Sequence, residues 1–165
     1  MPGYLRLVRV GNVAVSFVGT VVGGLAARGV GIGLSDQTFV LLALAAASTA
    51  CVTAGGNVLN DLGDRDSDRV NHPDRPLVTG QITVPTARAL AIGLLVLSAV
   101  LVVPVVWFAP LMGVILLTAL AALLAYELRF KSAGLVGNLL VAFLTAEVFL
   151  YGGAAVGQLA PVVPF

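Results

Sequence analysis

The side chains best suited to chemistry are concentrated in residues 57–76, "NVLNDLGDRDSDRVNHPDRP", which hold five aspartates and three arginines. A helix turns by about 100° per residue, so a helix running through this stretch places four oxygen-bearing side chains within about 40° of one another. These are Asn57, Asp61, Asp64 and Asp68, with Asn60 about 60° to one side and Asp66 on the opposite face. Carboxylates on one face repel unless a cation lies between them, and Mg²⁺ favours carboxylate and amide oxygens. The spacing predicts a Mg²⁺ site.

The residues that follow the acids favour an anionic ligand. Pro73 ends the helix and Pro76 restricts the backbone again, so Arg75 is held on a stiffened segment. A guanidinium held in this way suits a phosphate group. The cation, Arg75 and a location beside apolar segments together indicate a site for a lipid that carries a diphosphate.

Two simpler interpretations of the acidic stretch fit less well. A solvated acidic loop has no need for helical spacing or for Asn57 and Asn60 next to an apolar run. A calcium-binding EF-hand loop beginning at Asp64 requires glycine at its sixth position and glutamate at its twelfth, but Arg69 and Arg75 stand there.

The segments that must position these residues are apolar. The 165 residues are 59% hydrophobic and 10% charged, whereas about a quarter of a soluble domain is charged, so we expect a membrane protein. Five runs approach the roughly 20 residues that cross a bilayer, which predicts an all-α bundle of transmembrane helices. The runs are 10–27, 38–56 with its helix continuing to about 60, 87–109, 111–126 and 135–156.

Other features of the composition limit the possible functions. A net charge of +1 gives no reason to expect a nucleic-acid partner. The single cysteine, Cys51, excludes an internal disulfide and a multi-cysteine metal site. The glycine pairs Gly19/Gly23 and Gly153/Gly157 have the four-residue spacing that lets membrane helices approach closely.

The basic residues predict how the helices are oriented. If five helices alternate in direction, eight of the nine Lys and Arg residues fall on one side of the membrane and Arg28 on the other. The positive-inside rule makes the basic side cytoplasmic. We therefore expect a multi-pass protein of the cell membrane with its amino terminus and its Asp-rich stretch in the cytoplasm, and its carboxyl terminus outside.

Three motifs together resemble a known family. "NDLGDRDSDRVNHPDRPLVTG" resembles the first aspartate-rich motif of the UbiA-type intramembrane prenyltransferases and the tail that follows it. "LVRVGN" is similar to the R-x-x-N at the start of that family's first helix, and "YELRFKSAGLVGNLLVAFLT" is similar to its connection between helices four and five. The resemblance implies Mg²⁺-dependent transfer of a prenyl group from its diphosphate to a lipid or aromatic acceptor.

The same resemblance assigns roles to individual residues. Asp61 and Asp64 would hold Mg²⁺, and Asp68 would complete the set directly or through water. Asn57 and Asn60 would be amide ligands or positioners, Arg75 would bind the diphosphate or an acceptor's phosphate, and Asn12 would line the cavity from the first helix. The tail is most like that of archaeal digeranylgeranylglyceryl phosphate synthases, with chlorophyll synthases next, which implies a geranylgeranyl donor and geranylgeranylglyceryl phosphate as acceptor.

Three further residues keep two interpretations each. Lys131 either reaches an anionic headgroup or only marks topology. His72 is expected to be structural or loosely phosphate-facing rather than a catalytic base. Glu147, the one acid deep within an apolar run, either lines the central cavity or makes a hydrogen bond between helices.

The chain departs from the family in its extent. Family members usually have about nine helices and a second aspartate-rich motif, whereas the acids after Asp74 are Glu127 and Glu147. We expect residues 1–165 to be one transmembrane domain that corresponds to the first part of the family fold. The alternatives are a fragment, a short chain whose site a second chain completes, and a non-catalytic remnant. A CDP-alcohol phosphatidyltransferase is disfavoured, since "NDLGDRDSD" lacks the DG-x-x-A-R that leads into that family's aspartates.

Overall fold

The computed structural model describes residues 3–29 and 35–157, and within these ranges the chain is helical. Seven α-helices and one π-helical turn follow one another along the chain. They are α1 (Gly3–Leu7), α2 (Val10–Arg28), α3 (Asp36–Gly63), α4 (Arg65–Asn71), α5 (Val84–Phe108), α6 (Leu111–Ala125), the π-helical turn (Tyr126–Phe130) and α7 (Leu135–Ala155).

Five of these segments are long and apolar enough to cross a membrane. They are α2, α3, α5, α6 together with the π-helical turn, and α7. The predicted all-α class with five spans is thus confirmed. The longest helix, α3, exceeds its apolar run at both ends, because Ser35 caps its start and its last turn continues into the acidic stretch.

Capping residues and prolines set several helix ends. The Ser35 hydroxyl accepts a hydrogen bond from the Thr38 amide at 3.2 Å, and Thr83 accepts one from the Thr86 amide at 3.4 Å. Such bonds satisfy amides that have no partner within the helix. Between α5 and α6, Ala109 and Pro110 form a tight connection.

The helices α2 and α7 touch through their backbones. A Cβ atom added at Gly152 would lie 1.9 Å from the Thr20 carbonyl oxygen, and one added at Gly23 would lie 2.3 Å from the Phe149 carbonyl oxygen. Gly19 also faces α7, where an added Cβ would lie 2.9 Å from Val148. The close helix approach predicted from Gly19 and Gly23 is thus confirmed. Gly157 instead faces open space, and Gly152 supplies the contact on α7.

Two buried clusters hold the bundle together, one of them below the acidic stretch. That cluster joins α1, α3, α5 and the segment between α4 and α5, through Leu7, Val58, Leu77, Ile82, Ala87 and Ala91. It fixes α1 and the proline-containing tail against the end of α3. The other cluster, which includes Leu42, Val105, Met112 and Tyr151, joins α3, α5, α6 and α7.

Replacing Gly152 with alanine should destabilise the bundle, because its methyl group has no room against the Thr20 carbonyl. Overpacking of this kind typically costs about 1–3 kcal/mol. Unfolding in mixed micelles by SDS titration would measure the loss. Gly93→Ala is the control, since a Cβ there meets no atom within 4 Å. Equal effects of the two substitutions would contradict the close helix contact.

Candidate active site

A one-residue break in the helix places the aspartates. The sequence predicts one continuous helix through residue 68, but α3 ends at Gly63 and α4 begins at Arg65, with Asp64 between them at φ −89° and ψ 1°. The four-residue hydrogen-bond pattern continues across the break, since the Asp64 amide donates to the Asn60 carbonyl and the Asp68 amide to the Asp64 carbonyl. The register is therefore kept. Asp61 and Asp68 are buried, whereas the Asp66 side chain is 91% exposed.

Arg75 joins the two buried aspartates. Its Nη1 donates to Oδ1 of Asp61 at 3.1 Å and to Oδ2 of Asp68 at 2.5 Å. The tail keeps the guanidinium in place because Pro76, the next residue, is fully buried. The Asp61 and Asp68 carboxylates are thereby neutralised where burial would otherwise penalise their charge.

Arg9 is a second cation on Asp61, at a distance of 2.6 Å between Nη2 and Oδ1. Arg9 lies between α1 and α2 with φ 54° and ψ 67°, a left-handed conformation that is uncommon for a residue with a side chain. The same Nη2 lies 3.3 Å from Oδ1 of Asn60. Nearby, the Asn57 amide donates to the Val8 carbonyl at 2.8 Å, which ties α3 to the same junction.

Asp64 has a different partner. Its Oδ2 lies 2.7 Å from Nζ of Lys131, which follows the π-helical turn. Glu127, within that turn, lies 3.5 Å from the same ammonium group and accepts a hydrogen bond from Nδ2 of Asn60 at 3.3 Å. A π-helical turn inside an α-helix is frequently found at functional sites. Here it brings Glu127 and Lys131 to the end of α3.

A cavity of about 530 Å³ opens among α2, α3, α6 and α7, and most of its walls are apolar. At one end it is lined by polar side chains from the region just described: Arg9, Asn12, Asn57, Asn60 and Glu127. Its deeper lining includes Glu147, Thr145 and Tyr151. Within the described ranges, Asp61, Asp64 and Asp68 are not among the lining residues.

Glu147 fits both of the interpretations that its position allowed. It lines the cavity, and its Oε1 accepts a hydrogen bond from the Thr118 hydroxyl of α6 at 2.6 Å. Its Oε2 is buried and finds no hydrogen-bond partner among the residues that the structure describes. Cys51, by contrast, is a partly buried free thiol in α3. His72 follows α4 and is exposed; its backbone amide donates to the Asp68 carbonyl, and its carbonyl accepts from the Arg75 amide.

The predicted metal ligands Asp61, Asp64 and Asp68 are paired with basic side chains in this structure. In residues 3–29 and 35–157, no group of three or more acidic, His or Cys side chains lies close enough to hold one metal ion. The reason is that Asp64 pairs with Lys131 while Asp61 and Asp68 share Arg75. The donor chemistry nevertheless fits Mg²⁺, because hard carboxylate oxygens from two turns already converge on one cationic nitrogen.

Two functional candidates were missed by sequence reasoning. The sequence shows Arg9 only as a basic residue and as part of the R-x-x-N motif, because its contact with Asp61 depends on the left-handed backbone. Glu127 stands out in the sequence only as one of the two acids after Asp74. A signal existed, since an acid four residues before a lysine at the end of an apolar run indicates an ion pair at a membrane surface.

Comparison with known proteins identifies the family. A sequence profile of the UbiA prenyltransferase family matches residues 16–165. The chain belongs to this family. Curated UbiA relatives include the digeranylgeranylglyceryl phosphate synthases of Natronomonas pharaonis, 40% identical over 98% of this chain, and Ignicoccus hospitalis, 39% identical over 94%. This chain covers 55% and 48% of those two proteins, so it spans about half the length of the curated relatives it matches.

Solved structures agree with the assignment to the UbiA family. A structure concerned with digeranylgeranylglyceryl phosphate synthase in membranes superposes with a TM-score of 0.87 and 32% identity, covering 98% of this chain and 55% of the other. A UbiA homologue from Archaeoglobus fulgidus, bound to DMAPP and Mg²⁺, superposes with a TM-score of 0.73 and 28% identity, covering 94% of this chain and 54% of the other.

Replacing Asp61 with asparagine should destabilise this half of the UbiA fold, because both Arg9 and Arg75 lose a charged partner. Arg9 and Arg75 are 33% and 23% exposed, so water offsets part of the loss and we expect about 1–3 kcal/mol. Thermal unfolding in detergent would measure the change. Asp66→Asn, on the exposed face, is the matched control and should change stability by less than about 0.5 kcal/mol. A similar loss in both variants would contradict a specific role for the Asp61 ion pairs.

Proposed function

We propose that the protein containing this chain transfers a geranylgeranyl group from its diphosphate to the hydroxyl of geranylgeranylglyceryl phosphate, in archaeal ether-lipid synthesis. In this proposal residues 1–165 form one transmembrane domain, the first portion of the family fold. The carrying observation is the set of cations Arg9, Arg75 and Lys131 beside Asp61, Asp64 and Asp68, at one end of an apolar cavity. The names of the relatives support the same reaction.

The cavity suits the apolar part of such substrates. Its walls come from membrane helices and are mainly apolar, so a long isoprenoid tail can replace lipid or water there. Asn12 and the two asparagines of α3 lie at the polar end, where the diphosphate would meet the membrane surface. In this proposal they orient the head of the substrate.

The carboxylates are the proposed holders of Mg²⁺. Asp61, Asp64 and Asp68 would supply carboxylate oxygens and Asn57 its amide oxygen, which stays available because its Nδ2 already bonds to Val8. The A. fulgidus homologue was solved with Mg²⁺ and either DMAPP or GPP, which supports a metal with the donor diphosphate. When bound, Mg²⁺ would supply positive charge that stabilises the departing diphosphate.

The remaining chemistry belongs to residues of this chain. Arg75 and Lys131 would move from their carboxylate partners to phosphate oxygens, and their charge favours breakage of the allylic C–O bond with its electron pair leaving on diphosphate. The apolar walls exclude water, so the allylic cation is captured by the acceptor. The acceptor hydroxyl oxygen forms the new C–O bond, and its proton leaves with the diphosphate.

The acceptor assignment depends on the number of cations. A donor diphosphate and a phosphate-bearing acceptor together carry more negative charge than a donor with a ring acceptor. Arg9, Arg75 and Lys131 converge from three separate segments, which favours two phosphate-containing substrates. The alternatives are a chlorin acceptor, as in chlorophyll synthases, and an aromatic acceptor of a quinone pathway.

The rest of the site is proposed to come from the half that relatives possess and this chain does not cover. That half is either a continuation of the same polypeptide or a second chain. A non-catalytic role is the second candidate. Membrane lipids surround the bundle in each case.

Joined to a complementary half from the N. pharaonis relative, the chain should prenylate geranylgeranylglyceryl phosphate. The assay supplies geranylgeranyl diphosphate with this acceptor, chlorophyllide and a hydroxybenzoate in competition, and products are separated by mass spectrometry. Removing Mg²⁺ with a chelator should abolish transfer. Prenylation of a ring acceptor alone would contradict the acceptor assignment, and absence of any transfer would favour the non-catalytic role.

Matched variants in the same assay test the aspartates. Asp64→Ala should lower kcat/KM by about 100-fold, since a carboxylate proposed to hold Mg²⁺ is lost. Asp66→Ala removes a carboxylate two residues from Asp64 but on the exposed face, and should have little effect on kcat/KM. If both substitutions reduce activity equally, the cluster acts as bulk negative charge.

The Asp-rich stretch is proposed to face the cytoplasm, on the basis of the basic residues. A Cys51→Ala chain carrying Ser67→Cys should react with a membrane-impermeant maleimide only after the cells are permeabilised. Ser35→Cys, at the opposite end of α3, should react in intact cells. The reverse pattern would contradict the orientation, and with it the proposed access to cytoplasmic substrates.

A further inference from the structure

A second recess lies at the ends of α3 and α5 and shares no lining residue with the cavity of the candidate active site. Its volume is about 390 Å³. Apolar walls come from Leu59 and Leu62 of α3 and from Val84 of α5. Two arginines complete it: Arg65, the first residue of α4, and Arg88, one turn into α5. We call this the Arg65/Arg88 recess.

Both arginines are available to a ligand. Within the described part of the chain, neither forms an ion pair, in contrast to Arg9 and Arg75 of the candidate active site. The Nε atom of Arg65 is buried and has no hydrogen-bond partner in residues 3–29 and 35–157. A buried donor without an acceptor is costly, so a ligand that places an acceptor oxygen beside this atom would be favoured.

The recess has a net positive lining. Asp66 also borders it, but the Asp66 side chain is 91% exposed and its carboxylate pairs with Arg69 at 3.5 Å. A guanidinium presents its donors as a planar fork that matches phosphate oxygens. Two such groups in one recess therefore select a phosphate-bearing anion over a neutral polar ligand.

The position of the recess indicates which class of phosphate-bearing ligand it would bind. Arg65 follows the last residue of α3 by two positions, and Arg88 lies four residues after the start of α5, so both stand at the ends of membrane-spanning helices. Lipid headgroups occupy this level, and basic pockets between transmembrane helices are known to hold them. The apolar walls below the arginines can receive the glycerol and the first part of the chains.

We propose that the Arg65/Arg88 recess binds the headgroup phosphate of an anionic membrane lipid, at a site separate from the candidate active site. The lipid would bridge α3 and α5 by contacting one arginine at the end of each. This proposal does not rest on the proposed transferase activity.

Native mass spectrometry would test whether the Arg65/Arg88 recess binds an anionic lipid. The detergent-purified chain is titrated with phosphatidylglycerol or with phosphatidylcholine. The chain should retain phosphatidylglycerol in preference to phosphatidylcholine. The double variant Arg65→Gln/Arg88→Gln should weaken the apparent affinity for phosphatidylglycerol by about 30-fold, given about 1 kcal/mol per basic residue at a membrane surface. Arg88→Gln alone, at an exposed position, should weaken the affinity by about fivefold.

The control removes the same two charges elsewhere. Arg6→Gln/Arg129→Gln changes two arginines that neither line the recess nor pair with a residue of its lining, and should leave the affinity within about twofold. An equal loss in both double variants would show that lipid binding follows overall charge, and would overturn the proposal. So would an unchanged affinity in Arg88→Gln. Displacement of phosphatidylglycerol by millimolar inorganic phosphate would assign the recess to a free anion instead of a lipid.

Discussion

The neutralisation of buried carboxylates at the end of α3 is the constraint on which the surrounding structure depends. Asp61 and Asp68 are buried next to membrane helices, where an unpaired charge is strongly disfavoured. Their partners come from distant parts of the chain, Arg9 from the junction of α1 and α2 and Arg75 from the proline-containing tail. The requirement for charge pairing thus joins three segments, the end of α3 and the two that supply its arginines. The same requirement, in a complete protein, would let a metal and a diphosphate take over the pairing.

Lys131 and Glu127 extend this network to a fourth segment. Two polar contacts link the end of α6 to α3: Lys131 pairs with Asp64, and Glu127 accepts a hydrogen bond from Asn60. The network therefore closes the polar end of the cavity, while glycine contacts between α2 and α7 shape its wall farther in. Two kinds of interaction therefore position the site: ion pairs at the membrane surface, and close backbone packing within the membrane.

The sequence predicts the parts of this fold that depend on composition and local period. Five apolar runs identify five spans, because a bilayer demands long apolar helices whatever their packing. The inward position of Asp61 and Asp68 and the outward position of Asp66 follow from helical spacing, which survives the break at Asp64 because its hydrogen bonds continue. The break itself, the left-handed Arg9 and the pairing of Asp64 with Lys131 depend on contacts between residues far apart in the chain, which spacing cannot reveal.

The π-helical turn Tyr126–Phe130 has a consequence for how this chain tolerates changes in length. A π-helical turn accommodates one more residue than an α-helical turn, so the residues after it are rotated by about 100° from where an uninterrupted α-helix would place them. Deleting one residue from the turn would restore a regular α-helix and leave α6 intact as a membrane span. It would also swing Lys131 away from Asp64. The membrane span therefore tolerates this deletion, whereas the ion pair between Lys131 and Asp64 does not. It is the ion pair that requires the extra residue in the turn Tyr126–Phe130.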